Sequence, residues 1–327
     1  MTRRLMTTIL ALGLLLWMTP SPVAQRSAAT ERETLTTARG TSADLVGTWT
    51  LVSTERLGAG SPSAVPNPRG LLVFDAAGHA LEIVTRGGRA QYAANPPTPA
   101  EAQVTFANYA GFWGSYRADE QGRITYKPAG AVNPNLMGQE LVRSYEFKND
   151  RLTVTSSGEA TSPGGTRWVW ERVPPVDNLS PTYRRVVGFW QHVVEKRVNL
   201  TTGATLSENR RGPSIIVYSP SGYVGVHFVP LNRKPFAAAV PTDEEARAAI
   251  SGYVGYFAAL TVYPGMVFHH QLSTLGPGQG NTLKRSFEIV GDEIHLKFPP
   301  TINQQGQEQT TLVTLKRLSG EADMLPK

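Results

Sequence analysis

Two arginines stand in nearly matching surroundings, each at the third position of a heptapeptide that begins at Leu141 or Leu283. Both heptapeptides are typical of β-strands, in which alternate side chains share one face. Arg143 and Arg285 each share a face with the preceding leucine and with an aromatic residue, so we expect both to point inward. An inward guanidinium must be paired or hydrated. It is therefore either held by an internal salt bridge or backbone carbonyls, or it anchors a ligand carboxylate or carbonyl.

The adjacent histidines His269 and His270 are the second group that could do chemistry. Neighbouring residues of a strand face opposite ways, so the pair cannot easily chelate one metal ion. His269 follows Val267 on one face and is the inward candidate, as a hydrogen-bonded core residue or as a ligand contact. The sequence has no zinc-site spacing, nucleophile motif, phosphate loop or dinucleotide fingerprint. We therefore predict no metal, no cofactor and no catalytic residue.

An internal repeat sets the elements that must position these residues. Six blocks recur in the same order at an almost constant offset of about 141 to 144 positions, beginning with Leu-Val-Gly-Thr-Trp at residue 45 and Val-Val-Gly-Phe-Trp at residue 186. A proline-rich connector without apolar periodicity separates the copies. We predict a first domain at residues 45–173, a linker at 174–185, a second domain at 186–318 and a C-terminal tail at 319–327.

Each copy is predicted to be a set of short antiparallel strands with one short helix. Thr98 with Glu101, and Thr242 with Glu245, have the spacing of a capping box at a helix start. We expect the two helices to end near the Tyr-x-Gly strings at residues 109–111 and 253–255, because glycine suits a helix C-terminus. About 125 residues of this kind fit a small closed barrel, so the fold class is all-β.

Aromatic residues follow both predicted helix ends. They either cap a barrel mouth and touch a ligand, or they pack the helix against the barrel. Tyr126 holds the position in the first copy that His269 holds in the second. The candidate ligand-binding residues are thus Arg143, Arg285, His269, Tyr126, Tyr109, Tyr253, Trp113 and Phe257.

The N-terminus predicts export. Two arginines, an apolar run from Leu5 to Met18 and a small residue at Ala24 follow the order of a cleavable signal peptide over residues 1–24. The alternative is an uncleaved anchor. Residues 25–44 are polar and predict a flexible leader. We expect a periplasmic or secreted protein that does not contact the membrane after cleavage.

Composition limits the further classes. The chain has no cysteine, so its stability must come from packed cores. Its formal net charge of +6 is a mild excess, two charges of which lie in the predicted signal peptide. The basic residues form no run with interleaved aromatics, so a nucleic-acid partner is not expected.

Several of these strings together resemble the bacterial lipocalin-like domain family. They are the Leu45–Trp49 block, the hairpin at Gly78, the Pro-Thr-x-x-Glu helix start, Tyr109-Ala-Gly111 and Gly138-Gln-Glu-Leu-Val-Arg143. The resemblance covers nearly all of residues 45–173 and, more weakly, 186–318. It implies two tandem lipocalin-like antiparallel β-barrels, each with one short helix, and binding of small hydrophobic molecules without an established reaction.

The same resemblance implies structural roles at one end of each barrel, where a tryptophan lies under an arginine from the last strand. The residues concerned are Gly47, Trp49, Arg172, Gly188, Trp190 and Arg317. It also indicates divergence, because the family's His-His pair is present at residues 269–270 and is replaced by Tyr-Lys at residues 126–127. The two copies are therefore not expected to share one function.

Three functions are consistent with the sequence. The first is a binding protein for a small hydrophobic or amphipathic molecule held inside a barrel, which the resemblance and the missing catalytic motifs favour. The second is a cyclase or isomerase that shapes a small hydrophobic substrate around an inward arginine, histidine and tyrosine. The third is a structural or interaction protein whose barrels are filled by their own side chains.

Overall fold

The structure is a computed structural model that describes residues 41–325, apart from residues 59, 88, 89, 95, 149, 159–163, 278 and 279. The predicted signal peptide, residues 1–24, and the leader up to residue 40 lie outside the described residues. In the part of the chain that is described, no helix is long and apolar enough to cross a bilayer.

The first sheet is antiparallel and closes into an eight-stranded barrel. Its described strands are β1 (Gly47–Arg56), β2 (Ser63–Ala64), β3 (Arg69–Phe74), β4 (His79–Thr85), β5 (Tyr109–Ala118), β6 (Arg123–Ala131), β7 (Leu141–Lys148), β8 (Arg151–Ser156) and β9 (Thr166–Val173). Strand β1 pairs with β3 on one side and with β9 on the other, which closes the ring. The two-residue β2 only extends the pairing of β1.

The second sheet repeats this order. Its described strands are β10 (Gly188–Asn199), β11 (Thr205–Asn209), β12 (Ile215–Tyr218), β13 (Tyr223–Phe228), β14 (Val254–Tyr263), β15 (Met266–Thr274), β16 (Thr282–Val290), β17 (Glu293–Lys297), β18 (Thr301–Ile302) and β19 (Glu308–Arg317). The pairing of β10 with β19 closes the barrel, and β11 and β18 are appended to it. Two tandem antiparallel barrels are thus confirmed.

Short helices connect the strands: α1 (Ser42–Leu45), α2 (Pro99–Ala107), α3 (Pro181–Val186), α4 (Asp243–Ile250), α5 (Glu321–Met324) and one 3-10 turn at Pro134–Leu136. Both predicted capping boxes are present at the starts of α2 and α4. The helices end close to the predicted strings, at Ala107 and Ile250, but the predicted role of the glycines at the helix ends is wrong. Tyr109 and Gly111 belong to β5, and Gly255 belongs to β14, because the chain turns directly from each helix into the next strand.

Side chains alternate between two environments along the strands. Inward residues of the first barrel form a core of their own, built around Trp49, Phe74, Tyr126 and Trp170. The opposite face of β3 and β4 is also apolar and buried, because it packs against the second barrel. A strand that is buried on both faces reads as a continuous apolar run, as Leu-Leu-Val-Phe does at residues 71–74.

The two barrels pack back to back through equivalent faces. First-barrel residues on this face recur 144 positions later on the second: Leu71, Val73, Leu81, Ile83, Gly111 and Trp113 correspond to Ile215, Val217, Gly225, His227, Gly255 and Phe257. Gly225 lies so close to Leu81 that a Cβ there would come within 2.7 Å of its side chain. An interface of this kind has the local symmetry of an isologous dimer within one chain.

Polar bonds also cross between the barrels. The Thr48 and Ser219 hydroxyls lie 2.5 Å apart, and the Thr85 and Ser273 hydroxyls lie at the same distance. The imidazole Nε2 of His227 lies 3.2 Å from the carbonyl oxygen of Glu82. The barrels therefore share a buried interface that is both apolar and hydrogen-bonded.

Candidate ligand-binding site

The interior of the first barrel contains a closed ion pair. Nη1 of Arg143 donates to Oε2 of Glu82 over 2.7 Å, and the two side chains are only 3% and 2% exposed. The guanidinium also lies 4.5 Å from the centre of the Trp168 ring and 5.4 Å from that of Tyr126. Arg143 is thus inward, and its charge is compensated by the protein itself.

The second barrel keeps the arginine and lacks the acid. Glu82 pairs with Leu72 and Phe112 across the sheet, and Val226 pairs with Ile216 and Tyr256 in the same register. Val226 therefore takes the place of the glutamate, 144 positions later.

Arg285 lies on the inner face of β16, where it pairs with Val267 of β15. Its guanidinium stacks 3.6 Å from the centre of the Phe298 ring, and Nη1 donates to the Lys284 carbonyl over 2.7 Å. Within the described part of the chain it has no carboxylate partner. The residue is half-buried, so this charge is partly removed from water.

His269 lies beside this arginine on the inner face and is 1% exposed. Its Nδ1 is hydrogen-bonded to the Tyr256 hydroxyl at 2.9 Å, and its Nε2 has no partner among the residues described. Burial, with the nearby Arg285 acting in the same direction, lowers the pKa of His269 to about 3. The imidazole is therefore neutral at physiological pH and has one nitrogen left to donate or accept.

Tyr218 completes a cluster of polar groups inside an apolar wall. Its ring centre lies 5.6 Å from that of His269, and its fully buried hydroxyl has no partner within the described chain. Burial raises the pKa of Tyr218, so the hydroxyl keeps its proton and can donate it. We call Tyr218, Tyr256, His269 and Arg285 the inner polar cluster.

A second polar group faces the interior on β10. The buried His192 pairs with the inward Leu315 and packs its ring edge against Phe228, 5.3 Å between centres. Neither ring nitrogen has a partner among the described residues. Burial lowers the pKa of His192 to about 4. The nearby Arg211 differs from Arg285, because it is bonded to Glu195 at 2.9 Å.

Of the inner polar cluster, Tyr256 lines a cavity of about 400 Å³ beside the start of β14 and the end of β15, which we call the mouth cavity. The second barrel contributes Tyr253, Tyr256, Gln271 and Thr274 to its lining, and the first barrel contributes Tyr92, Pro96 and Pro97. Tyr256 belongs to both, so it links the cavity to His269. Cavities of a few hundred cubic ångströms are the size that small ligands use.

Three of the predicted aromatic contacts lie between the barrels. The indole Nε1 of Trp113 donates to the Pro213 carbonyl over 2.9 Å, Phe257 pairs with the interface residue Gly225, and the Tyr109 hydroxyl abuts Gly255. Parity explains this placement, because Phe112 and Tyr256 take the inner positions of β5 and β14. These three residues pack one barrel on the other.

The remaining two predicted aromatic contacts, Tyr253 and Tyr126, lie in different places. Tyr253 lines the mouth cavity, and its hydroxyl bonds Nδ1 of His227 at 2.6 Å. Tyr126 is fully buried inside the first barrel beside Arg143. Only Arg285, His269 and Tyr253, of the eight candidates, are therefore brought to the second barrel's interior or mouth.

The tryptophan–arginine ends are built alike in both barrels. Arg172 lies 4.1 Å from the centre of the Trp49 ring, and Arg317 lies 4.0 Å from that of Trp190. Gly47 and Gly188 have φ values of +132° and +136°, and a Cβ at Gly188 would collide with the Ser319 carbonyl. These residues close the barrel ends. The contacts described above do not join them to the inner polar cluster.

The sequence did not single out Glu82, Val226, Tyr218, Tyr256 or His192. Glu82 gave a usable signal, since it stands alone among apolar residues on the inner face of β4. Its replacement by Val226 in the repeat alignment was a second signal. Among the described residues, no group of three or more histidines, aspartates and glutamates could hold a metal ion.

The topology defines this protein as a pair of closed antiparallel barrels. Residues 46–173 match the family described as the lipocalin-like domain. The second barrel repeats its strand order. No curated protein matches the sequence.

Three solved structures are similar to the chain at low identity. A protein of unknown function from the DUF3598 family of Nostoc punctiforme is 10% identical, with 84% of this chain and 97% of that chain covered and a TM-score of 0.23. A provisionally assigned outer membrane protein of Bacteroides fragilis is 10% identical, with coverage of 85% and 100% and a TM-score of 0.22. Transferrin-binding protein B of Haemophilus parasuis is 5% identical, with coverage of 79% and 62% and a TM-score of 0.19.

Proposed function

We propose that this chain is an exported binding protein that holds one small, partly apolar molecule inside its second barrel. One observation carries the proposal: the inner polar cluster has an arginine without an acid, and a tyrosine hydroxyl and an imidazole nitrogen without partners within the described chain. Buried polar groups are rarely left unpaired, because each one costs about 1–3 kcal/mol. A ligand with polar atoms at one end would satisfy all three.

The surroundings of the cluster suit the rest of such a ligand. Inner neighbours of the cluster are apolar: Val224, Val226, Leu260, Val267 and Phe287. Burial of an apolar chain against them would supply most of the affinity, at about 25 cal/mol per Å². The polar cluster would fix the orientation.

We assign the first barrel a supporting role. Its inward arginine is already paired with Glu82, and aromatic rings pack around that pair. It also provides Tyr92, Pro96 and Pro97 to the rim of the second barrel's mouth. The two barrels would then form one binding unit with one site.

Export to the periplasm or outside the cell is part of the proposal, and it rests on the order of residues 1–24. N-terminal sequencing of the protein from the periplasmic or secreted fraction tests it, with Gln25 as the expected first residue. An intact Met1 on membrane-bound protein would overturn it.

The binding function is tested by extracting the purified full-length protein and identifying small molecules by mass spectrometry. We expect one organic molecule at a constant ratio to protein. Titration with the neutral dye Nile red, after extraction, should show one saturable site. Absence of both signals would overturn the proposal.

One observation favours an enzyme as a second candidate. The Tyr256 hydroxyl is hydrogen-bonded to His269, and the charge of Arg285 acts on both groups, an arrangement that can polarise a carbonyl and move a proton. Incubation with the molecule identified by extraction decides between the two. Conversion that is lost in His269→Gln would favour an isomerase or cyclase, whereas an unchanged molecule favours binding alone.

A further inference from the structure

We infer that the ligand of the second barrel carries a carboxylate, which takes the place that the Glu82 side chain takes in the first barrel. The inference rests on the proposed function and gives its ligand a chemical class.

The arginine and the acid occupy equivalent positions in the two barrels. Arg143 pairs with Ile124 across the sheet, and Arg285 pairs with Val267 at the matching position of the second barrel. The acid position has the same cross-strand register in both barrels and is Glu82 in one and Val226 in the other. The first barrel thus shows which chemical group this arginine position binds when the protein supplies the partner.

The inner polar cluster carries a positive charge at Arg285. A guanidinium stays protonated under all ordinary conditions, so the half-buried Arg285 keeps a positive charge that an anion would stabilise. Burial lowers the pKa of Arg285. His269 is neutral, and the two tyrosine hydroxyls keep their protons. The cluster can donate hydrogen bonds from several sides, yet it contains no anion.

The single positive charge of Arg285 favours a ligand group with a single negative charge. One cation matches one anion, and the planar fork of a guanidinium fits the two oxygens of a carboxylate. A phosphate monoester would bring close to two negative charges against Arg285 alone. A neutral ketone or ester would leave the arginine charge uncompensated.

The residues around Arg285 are largely apolar. Val226 is only 1% exposed and places an apolar group where the glutamate would stand. Arg285 itself pairs with Val267 and stacks on Phe298, so aliphatic and aromatic carbon lies beside it, which suits a carboxylate at the end of an apolar chain or ring. A small hydrophilic acid such as acetate would gain little from this wall.

The test uses three probes with the same eight-carbon chain on the full-length protein: octanoate, methyl octanoate and octylamine. Each is titrated against bound Nile red after extraction. We expect octanoate to displace the dye at a concentration at least tenfold lower than its methyl ester, and octylamine to be the weakest. Equal displacement by octanoate and its ester would overturn the inference, while the saturable Nile red site would still support the proposed function.

Val226→Glu supplies the missing acid from the protein. It should pair with Arg285 and weaken octanoate displacement at least tenfold. Val226→Gln has the same length without the charge and should retain most of the preference for the acid over the ester. If Val226→Glu fails to fold, Arg285→Met replaces it, and it should abolish the preference for acid over ester while Nile red still binds. Retention of that preference in Arg285→Met would overturn the inference.

Discussion

The interiors of the two barrels hold an arginine at the same position of the same strand, and only the first barrel provides a carboxylate for it. In the first barrel Arg143 and Glu82 form a pair that is almost fully buried. In the second, Val226 replaces the acid, and Arg285 stacks on Phe298 and bonds a backbone carbonyl. One duplicated element therefore serves stability in one copy and leaves an open polar end in the other.

At two further positions the second barrel also has the more polar residue. Phe74 in the first barrel corresponds to Tyr218, and Tyr126 corresponds to His269. Both changes add polar atoms that are left without partners in the described part of the second barrel. Because each second-barrel residue has a first-barrel counterpart, single exchanges between the copies test the comparison directly.

The largest effect is expected at the closed ion pair. Arg143→Met should lower the free energy of unfolding by about 3–5 kcal/mol, because it leaves Glu82 buried and unpaired. The matched variant Arg285→Met removes no carboxylate's partner and should cost far less. Chemical denaturation of both variants at pH 7 measures the difference. Equal losses would mean that the two arginines are structural in the same way.

The next effect concerns pH and the interface between the barrels. His227 is fully buried and occupies the place that Ile83 holds in the first barrel, and burial lowers its pKa to about 3. Between pH 6.5 and 3 the unfolded chain binds a proton that the folded chain does not. Its contribution to stability is complete above pH 6.5 and falls by about 1.4 kcal/mol per pH unit as the pH is lowered.

His227→Ile introduces the first-barrel residue. It should remove the part of the pH dependence of the free energy of unfolding that comes from protonation of His227. His192 and His269, whose pKa values are also lowered by burial, keep theirs. Denaturation at pH 7 and pH 5 gives the slope for both proteins. The prediction fails if the slope of the variant equals that of the wild type.

A smaller effect is expected in ligand affinity. Arg285→Met keeps the bulk of the side chain and removes the charge, so binding of the molecule found by extraction should weaken by about 1.5–3 kcal/mol, the range of a charged hydrogen bond. Arg143→Met is the control and should bind with unchanged affinity while being less stable. Calorimetric titration beside a melting curve separates the two. Unchanged affinity would remove Arg285 from the site.

Strand parity was enough to orient the two arginines and His269, because a period of two needs only local sequence. It did not find Glu82, which lies 61 residues before Arg143 and meets it only when the barrel closes. Trp113 and Phe257 were assigned to the region after a helix end, and no face between the barrels was predicted from the sequence. The apolar run at residues 71–74 carried that information, because it is apolar on both faces.

The smallest expected effect has opposite signs for stability and for binding. Tyr218→Phe introduces the residue that the first barrel has as Phe74. The Tyr218 hydroxyl is buried without a partner among the described residues, so its removal should raise the free energy of unfolding of the ligand-free protein by about 1 kcal/mol.

If the same hydroxyl donates to the ligand, its removal should weaken binding by about 0.5–1.5 kcal/mol, the scale of a neutral hydrogen bond. A group that destabilises the free protein and stabilises the complex has been retained for the complex, because packing alone would favour phenylalanine. Tyr183→Phe is a useful control, since the Tyr183 hydroxyl donates to the Ser219 carbonyl over 3.1 Å and its loss should only destabilise the fold. A Tyr218→Phe protein that is less stable and binds equally well would show that the hydroxyl stabilises the fold and is not part of the ligand site.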